Sequence, residues 1–285
     1  MRDRWKWIFS ILIFVLMING TGIFLIHGFG EVVTKEETES TLIVNDITIT
    51  IKNFGDYPAN LVEEVRNEVE IATKSVLEVT KGKLIPKSNV AISLISSNED
   101  SKIVPSYYSS VIFDPDTIWL EEWNFEEMML YSLFPQNEDV APFTTIGLGQ
   151  YLYYSPHKGE IFDPNEMWVL HKNKQQTLQF EGLLSPILFK SSVLNNHGPS
   201  REYPKAEAHY WKIASFSHYL IEEYGIDTFV DLYESTNISK DVEQVYGKSF
   251  IALQTEWEQR IIQMEENFTP KVVQDLEYHY QYLYE

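Results

Sequence analysis

The amino-acid sequence predicts an α+β protein with an N-terminal transmembrane helix, then a small sheet with a long helix, and then a mainly helical half. Three observations lead to this prediction. Residues 7–26 are almost entirely apolar, residues 41–54 alternate β-branched and polar side chains, and from residue 123 onward apolar residues recur at helical spacing. These patterns are typical of a membrane span, a half-buried strand and packed helices, respectively.

Residues 1–30 are predicted to form a membrane anchor. Arg2, Arg4 and Lys6 precede the apolar span, and the acidic segment "KEETES" follows it. About twenty apolar residues make a helix of roughly 30 Å, which is the hydrocarbon thickness of a bilayer. Positive charge before the span predicts a cytoplasmic N-terminus and an extracytoplasmic main domain, held at the cell membrane by a single pass.

A cleaved signal peptide is the competing interpretation, with residues 8–18 as its short apolar region. No small-x-small cleavage site follows, and the apolar run resumes with "IFLI", so a retained signal anchor is favoured. The polar residues 31–40 are predicted to form a stalk. Residues 41–268 then form the main domain, and residues 269–285 form an aromatic C-terminal extension.

Charge and composition exclude several classes of function. The net charge is −20, which disfavours nucleic acid as a partner because association would begin with repulsion. The chain has no cysteine. A disulfide scaffold, thiol catalysis and cysteine-based metal sites are therefore ruled out. An exported protein of a low-cysteine bacterium suits this composition.

The first half of the main domain is predicted to contain the sheet. Residues 41–54 are interpreted as one strand, and Pro58 opens a helix that ends before Gly82. "NVAISLIS" is predicted to be another strand, and "SSVIFDPDTIWLEE" two short extended pieces around an Asp-Pro-Asp turn. In the long helix, apolar residues recur at helical spacing at Leu61, Val65, Val69, Ala72 and Val76.

The second half is predicted to be helical. Its candidate helices are separated by Gly, Pro or Asn and comprise residues 123–134, 142–154, 204–224, 226–235, 239–246 and 249–266. The segment "TLQFEGLLSPILF" is interpreted as an apolar connection, and residues 187–204 as a loop.

The C-terminal segment 209–261 carries a resemblance to a known arrangement. A "Y-x-x-x-x-S-F" run on a helix leads to "Y-L-I-E-E-Y-G", and the unit "V-x-x-V-Y-G-x-S-x-x-x-L-x-x-E-W" closes the segment. The matching residues are Tyr210, Ser215, Phe216, Tyr219, Leu220, Tyr224, Gly225, Val242, Val245, Tyr246, Gly247, Ser249, Leu253, Glu256 and Trp257. This pattern resembles the helical half of the peptidase MA-like family of gluzincin-type zinc metallopeptidases.

Earlier segments extend the resemblance to about residues 40–265. The predicted order of strands and helices fits the family's layout, and "GLGQYLYYSP" resembles its "E-G-x-A-x-Y" helix. Catalysis in that family implies an H-E-x-x-H motif on one helix and a zinc-binding glutamate on the next. The chain contains no H-E-x-x-H, H-x-x-E-H or H-x-H. It therefore looks like a degenerate member without a zinc site or other cofactor.

The resemblance puts four residues at the family's catalytic positions. Glu126 falls at the first histidine, Glu127 at the general base, Leu130 at the second histidine and Ile146 at the third ligand. Only Glu127 keeps the residue type, and the apolar replacements suggest that the former site is filled. No catalytic, cofactor-binding or metal-binding residue is therefore assigned.

Periodicity separates the two glutamates of "WNFEEMMLYSLF". At about 100° per residue, Glu126 lies inside the apolar arc of the predicted helix, where its carboxylate needs a partner. Glu127 lies at the edge of that arc, and the expectation there is a solvated or rim carboxylate.

Two other features have plain structural interpretations. His218 and Glu222 are four residues apart on one predicted helix, but no third ligand is evident, so a surface pair is expected. "IGLGQY" is expected to be a helix that needs close packing rather than a nucleotide-binding loop.

The sequence as a whole indicates a membrane-anchored, extracytoplasmic pseudo-peptidase. Its expected role is binding or scaffolding at the bacterial cell surface, with a peptide or a cell-envelope protein as partner. Two alternatives stay open. One is an active hydrolase that uses Glu126 or Glu127 with other residues, and the other is a purely structural envelope protein.

Overall fold

The architecture is α+β, as predicted from the sequence. The computed structural model describes residues 38–95, 110–113, 124–135, 143–156, 163–172, 179–185 and 203–274. All of these residues belong to one unit that spans residues 37–285. The predicted anchor and most of the predicted stalk lie outside the described residues. Among those described, no helix combines the length and the apolar character that crossing a membrane requires.

Four strands form one sheet in the order β1-β2-β3-β4. Their bounds are β1 (Thr38–Val44), β2 (Ile47–Asn53), β3 (Asn89–Leu94) and β4 (Ser110–Phe113). The first two strands are antiparallel, whereas β2 pairs in parallel with β3, and β3 in parallel with β4. Because β1 begins at Thr38, the sheet starts inside the segment that was predicted to be stalk.

The prediction of one strand over residues 41–54 is wrong, because the segment is a hairpin. Asn45 and Asp46 both have positive φ, at 48° and 67°, and join β1 directly to β2. Two such residues make the tight turn whose twist matches that of a hairpin, and Asn and Asp tolerate it better than most residues. Alternating residues of β2 are buried, including Ile49 and Ile51.

The long helix α1 (Ala59–Thr80) is confirmed and forms the crossover between the parallel strands β2 and β3. It follows Pro58, whose fixed φ and missing N–H suit the start of a helix. After its end the chain reverses at Gly82, which has φ of +76°. Four of its five predicted core residues are buried: Val65, Val69, Ala72 and Val76.

The rest of the described domain is helical. The helices are α2 (Phe125–Leu133), α3 (Phe143–Tyr154), α4 (Pro164–Lys172), α5 (Phe180–Leu183), α6 (Tyr203–Tyr224), α7 (Ile226–Val230), α8 (Ile238–Tyr246) and α9 (Phe250–Glu266). Six of these correspond to predicted helices, although α7 is shorter than predicted. The sequence patterns missed α4, and they also missed the short α5 within the predicted apolar connection.

The sheet and the helices share one hydrophobic core. Helix α2 packs between α1 and α3, and α6 packs against both α3 and α4. The start of the predicted C-terminal extension also packs, since Val272 lies against Met167 and Leu170 of α4. The four tyrosines of that extension lie outside the described residues. Helices α2, α3 and α6 are therefore the elements that bring the candidate site together.

Candidate functional site

The first turn of α2 positions the two glutamates that the sequence singled out. Asn124 caps the helix by accepting a 2.9 Å hydrogen bond from the Glu127 backbone N–H. An Asn three residues before a Glu is a capping-box pattern, in which the glutamate often folds back onto the cap. Here the Glu127 carboxylate extends toward α6 instead.

Glu127 is held by a chain of hydrogen bonds from two other helices. The Tyr210 hydroxyl of α6 donates to Glu127 Oε2 at 2.6 Å, and Gln150 Nε2 of α3 donates to the Tyr210 hydroxyl. Asn124 Nδ2 makes a longer contact of 3.5 Å with the same carboxylate oxygen. The direction of donation along the chain therefore suits an ionised Glu127.

Burial nevertheless opposes the charge on Glu127. Removal from water raises the pKa of the Glu127 carboxyl to about 7, and the Tyr210 hydrogen bond offsets only part of this effect. The side chain keeps a partly exposed surface, but protein atoms surround its carboxyl group. The expectation of a solvated or rim carboxylate is confirmed in part, because the side chain is partly exposed, but Tyr210 of α6 binds its carboxyl group.

Besides Tyr210, the phenols of Tyr131 and Tyr233 lie close enough to Glu127 for its charge to raise their pKa. Burial, and then the Glu127 charge, raise the pKa of Tyr131 and of Tyr210 well above the ordinary value. The Tyr233 hydroxyl is also buried and its pKa is raised. It accepts a hydrogen bond from Thr145 and lies near the α2 carbonyl oxygens of Leu130 and Phe134. All three phenols thus stay neutral and can donate.

Glu126 is buried, as the helical periodicity predicts, with 7% of its surface exposed. It points away from the Glu127 network, because adjacent residues on a helix are about 100° apart. Glu126 does not lack an interaction partner. The two glutamates thus occupy different environments.

The close packing expected for "IGLGQY" is confirmed on α3. A Cβ atom on Gly149 would lie 2.5 Å from Cβ and 2.7 Å from Cα of Glu127, so only glycine permits this contact with α2. A Cβ atom on Gly147 would lie 2.4 Å from Cβ of Ser217 on α6. The two glycines therefore bring α3 close to both of its neighbours and set the position of Gln150.

Leu130 and Ile146 are core residues. Leu130 has no exposed surface and Ile146 has 2%, and both belong to the main hydrophobic core. In the part of the chain that the structure describes, no three His, Asp or Glu side chains lie close enough to hold a metal ion. The four positions named from the sequence therefore comprise one Tyr-bound carboxylate, one separately buried carboxylate and two aliphatic side chains.

The expectation of a surface pair at His218 and Glu222 is wrong for the histidine. His218 is 4% exposed, and its Nε2 lies 3.5 Å from Glu222 Oε1 at the protein surface. Glu222 is also bound by Arg260 of α9 at 2.6 Å. On the inner side, His218 Nδ1 lies 3.2 Å from Asn165 Nδ2 of α4. Sequence patterns missed this partner because α4 itself was not predicted.

The closing motif of the sequence has a structural role. Glu256 accepts hydrogen bonds from Tyr219 and Tyr224 of α6, at 2.9 Å and 3.0 Å, and forms an ion pair with Lys248. These contacts lower the pKa of Glu256 and raise that of Lys248. Gly247 ends α8 with a left-handed conformation, and the motif therefore joins α6 to the turn between α8 and α9.

No family model matches the sequence of this chain, and no curated protein matches it either. Among the site residues, Tyr210 was noted in the sequence only as part of the resemblance. Gln150 and Asn124 were not noted as site residues at all. The one local signal for them was the Asn-x-x-Glu spacing at the start of α2.

Proposed function

We propose that this protein is a noncatalytic relative of the peptidase MA-like metallopeptidases, anchored in the bacterial membrane, which binds a partner outside the cell. The supporting observation is the burial of Leu130 and Ile146 in the hydrophobic core. The resemblance puts zinc ligands at these two positions. A catalytic zinc needs about three protein ligands and an open position for water, and two packed aliphatic side chains provide neither.

The contacts of Glu127 argue against a role as general base. A general base must reach a water molecule or a substrate proton. The described contacts of Glu127 are instead with Tyr210 and Asn124, and Gly149 lies against its Cα and Cβ atoms. The carboxylate thus joins α2 to α6.

The closing motif explains how a peptidase-like pattern can persist without peptidase chemistry. Glu256 binds Lys248 and two tyrosines, and Trp257 is 1% exposed inside the helical core. Substitution of such residues destabilises the fold whatever its activity. The residues that carry the resemblance are therefore retained as fold determinants in this proposal.

The proposed partner is a peptide or an envelope protein that adds an extended segment to the sheet. Within the described part of the sheet, β4 pairs only with β3. A strand with one paired edge can accept an extended peptide through main-chain hydrogen bonds. The proposed location follows from the N-terminal sequence: residues 7–26 span the membrane, and the main domain lies outside.

One observation favours the alternative of an active hydrolase. A carboxyl with a pKa of about 7 can both accept and donate a proton near neutral pH, and the Tyr210 hydroxyl next to it can donate a hydrogen bond. In this alternative Glu127 acts as the acid or base and Tyr210 orients it. No zinc ion is then involved.

A metal and activity assay distinguishes these functions. The full-length chain is purified in detergent, equilibrated with Zn²⁺, dialysed, and assayed for bound zinc and for casein cleavage. The Glu127→Gln variant and a matched surface variant, Glu243→Gln, are treated in the same way. We expect no stoichiometric zinc and no cleavage from any of the three proteins. Bound zinc at one per chain would overturn the proposal, and zinc-independent cleavage lost only in Glu127→Gln would establish the alternative.

A further inference from the structure

A chain of buried hydrogen bonds crosses the helical half from α9 to the surface end of α6. Trp257 Nε1 lies 3.0 Å from Ser215 Oγ, and Ser215 Oγ lies 2.8 Å from Asn165 Oδ1. Asn165 Nδ2 lies 3.2 Å from His218 Nδ1. The exposed surface of these four side chains ranges from none to 8%. This chain is separate from the Glu127 network.

The indole and the orientation of the Asn165 amide together give the direction of each hydrogen bond in this chain. An indole N–H can only donate, so Ser215 Oγ accepts from Trp257. The Asn165 oxygen Oδ1 can only accept, so Ser215 donates its own proton to it. The other end of the Asn165 amide is then NH₂, which also can only donate. His218 Nδ1 must therefore be unprotonated, and the ring proton lies on Nε2, which faces Glu222.

A second proton on His218 is incompatible with this arrangement. Protonated Nδ1 is a donor and would face the donating Asn165 NH₂ group. The simplest relief is a reversal of the Asn165 amide, which offers Oδ1 to the imidazolium. The NH₂ group then faces Ser215 Oγ, and the Ser215 proton loses its acceptor. The change therefore reaches the oxygen to which Trp257 donates.

The charged surroundings of His218 accommodate an imidazolium. From α6, Glu222 faces Nε2, and Arg260 of α9 is bound to that carboxylate. From α3, the rings of Tyr151 and Tyr154 pack against His218 at 5.5 Å and 5.2 Å between ring centroids. Three acids, Asp163, Glu166 and Glu222, carry charges that help to raise the pKa of Tyr154. Burial and the Asn165 amide both oppose protonation of His218, whereas the facing Glu222 carboxylate favours it.

We propose that His218 is the sensor of an acid-sensitive switch, in which its protonation reverses the Asn165 amide and alters the environment of the Trp257 indole. The Trp257 ring stacks on Trp168 of α4, with 5.9 Å between centroids. Protonation of His218 on α6 would therefore alter the surroundings of Trp257 inside the helical core. Histidine is the side chain whose unperturbed charge changes between about pH 5 and 8. The switch goes beyond the proposed function, because it depends on neither zinc nor a partner.

Nuclear magnetic resonance of the full-length chain in detergent tests the switch. Labelling tryptophan with ¹⁵N gives one indole signal for each of the seven tryptophans, and Trp257→Phe identifies the signal of Trp257. We expect this signal and the His218 Cε1–H signal to shift with one common midpoint between pH 5 and 8. A His218 that does not titrate in this range would overturn the proposal, as would a Trp257 signal that does not follow it.

Three variants separate coupling from general sensitivity to pH. In His218→Gln, the Trp257 signal is expected to lose its pH dependence. In Asn165→Asp, a carboxylate accepts from both Ser215 and His218, so His218 titrates while Trp257 no longer follows. In Glu222→Gln, the loss of a nearby negative charge moves the common midpoint to lower pH without uncoupling the signals. A Trp257 shift that persists in His218→Gln would refute the mechanism even if the other variants did not fold.

Discussion

Tyr210 donates a 2.6 Å hydrogen bond to Glu127, and this bond joins the N-terminal half of α6 to the first turn of α2. The pair lies where the resemblance to metallopeptidases puts the general base. Burial raises the pKa of the carboxyl to about 7, so its charge depends on the pH of the surroundings. The same group therefore links the stability of the fold to pH.

The contribution of Glu127 to the free energy of unfolding should be larger in mild acid, where the folded state is protonated, than at alkaline pH. Between the ordinary glutamate pKa of 4.5 and the raised pKa of about 7, the folded state binds a proton that the unfolded state has released. The stability due to this group is therefore present at low pH and is lost as the pH rises through 7. We expect the contribution to fall by about 2 kcal/mol between pH 5 and 8.

Urea unfolding of the wild type and of Glu127→Gln at pH 5 and 8 measures this contribution. The neutral amide cannot ionise, so the variant should gain stability relative to the wild type as the pH rises. Glu243→Gln, on the exposed face of α8, serves as the control and should show no such change. A constant difference between Glu127→Gln and the wild type at both pH values would contradict the raised pKa.

Replacement of Tyr210 by Phe should move the titration of Glu127 to higher pH. The Tyr210 hydroxyl favours the ionised carboxylate, and its removal leaves burial unopposed. The Glu127 side-chain carboxyl signal, followed by ¹³C NMR, gives the midpoint directly. Gln150→Ala is a useful comparison, because it removes the donor to Tyr210 and leaves the Tyr210–Glu127 bond in place. A midpoint that moves down in Tyr210→Phe would show that the bond stabilises the neutral acid instead.

The sequence predicted the elements of the fold better than it predicted their contacts. Apolar spacing located α1, because Val65, Val69 and Val76 repeat on one face of a long segment. The same reasoning treated residues 41–54 as one strand, since the apolar alternation continues through Asn45 and Asp46. Only their positive φ reveals the turn, and two polar residues within a strand carry no strong signal of it.

The candidate site was predictable on α2 but not beyond it. Periodicity placed Glu126 inside, and it is buried. The solvent exposure of Glu127 depended on which helices cover the edge of the apolar arc, and no local pattern gives that information. Tyr210 is 83 residues away in the chain. A hydrogen bond between such distant positions depends on α3, which packs against both α2 and α6.

Substitution of Gly149 by Ala should destabilise the fold although alanine is the better helix former. Alanine gains about 1 kcal/mol in helix propensity. The added methyl group, however, would lie 2.7 Å from the Cα atom of Glu127, and backbone cannot move aside cheaply. Overpacking of this kind costs about 1–3 kcal/mol or more. Because the contact is short and involves backbone, the cost should lie in the upper part of this range, and we therefore expect a net loss of about 1–2 kcal/mol in urea unfolding.

The control for Gly149→Ala is Thr255→Ala on the exposed face of α9. There the change should stay within about 0.5 kcal/mol, because no packed neighbour is involved. If Gly149→Ala were as stable as Thr255→Ala, α2 and α3 would not be in the close contact on which the candidate site depends.

Truncation of Ile146 tests whether the position at which the resemblance puts a zinc ligand is filled or open. Ile146 is 2% exposed, so Ile146→Ala should leave a cavity and cost about 2–5 kcal/mol in the free energy of unfolding. Ile251→Ala is the matched control, because Ile251 is 70% exposed and its truncation should cost about 0.5 kcal/mol or less. Urea unfolding of both variants at one pH gives the comparison.

The size of the Ile146 effect discriminates between a packed core and a groove. A side chain that lines an open peptidase-like groove contacts water on one side, and its loss removes few packing contacts. A cost within about 0.5 kcal/mol of the Ile251→Ala control would therefore indicate a groove and remove the main support for a noncatalytic protein. A cost of several kcal/mol leaves no room at this position for a ligand and its bound water. Core packing would then account for the aliphatic residue at the position where the resemblance puts a zinc ligand.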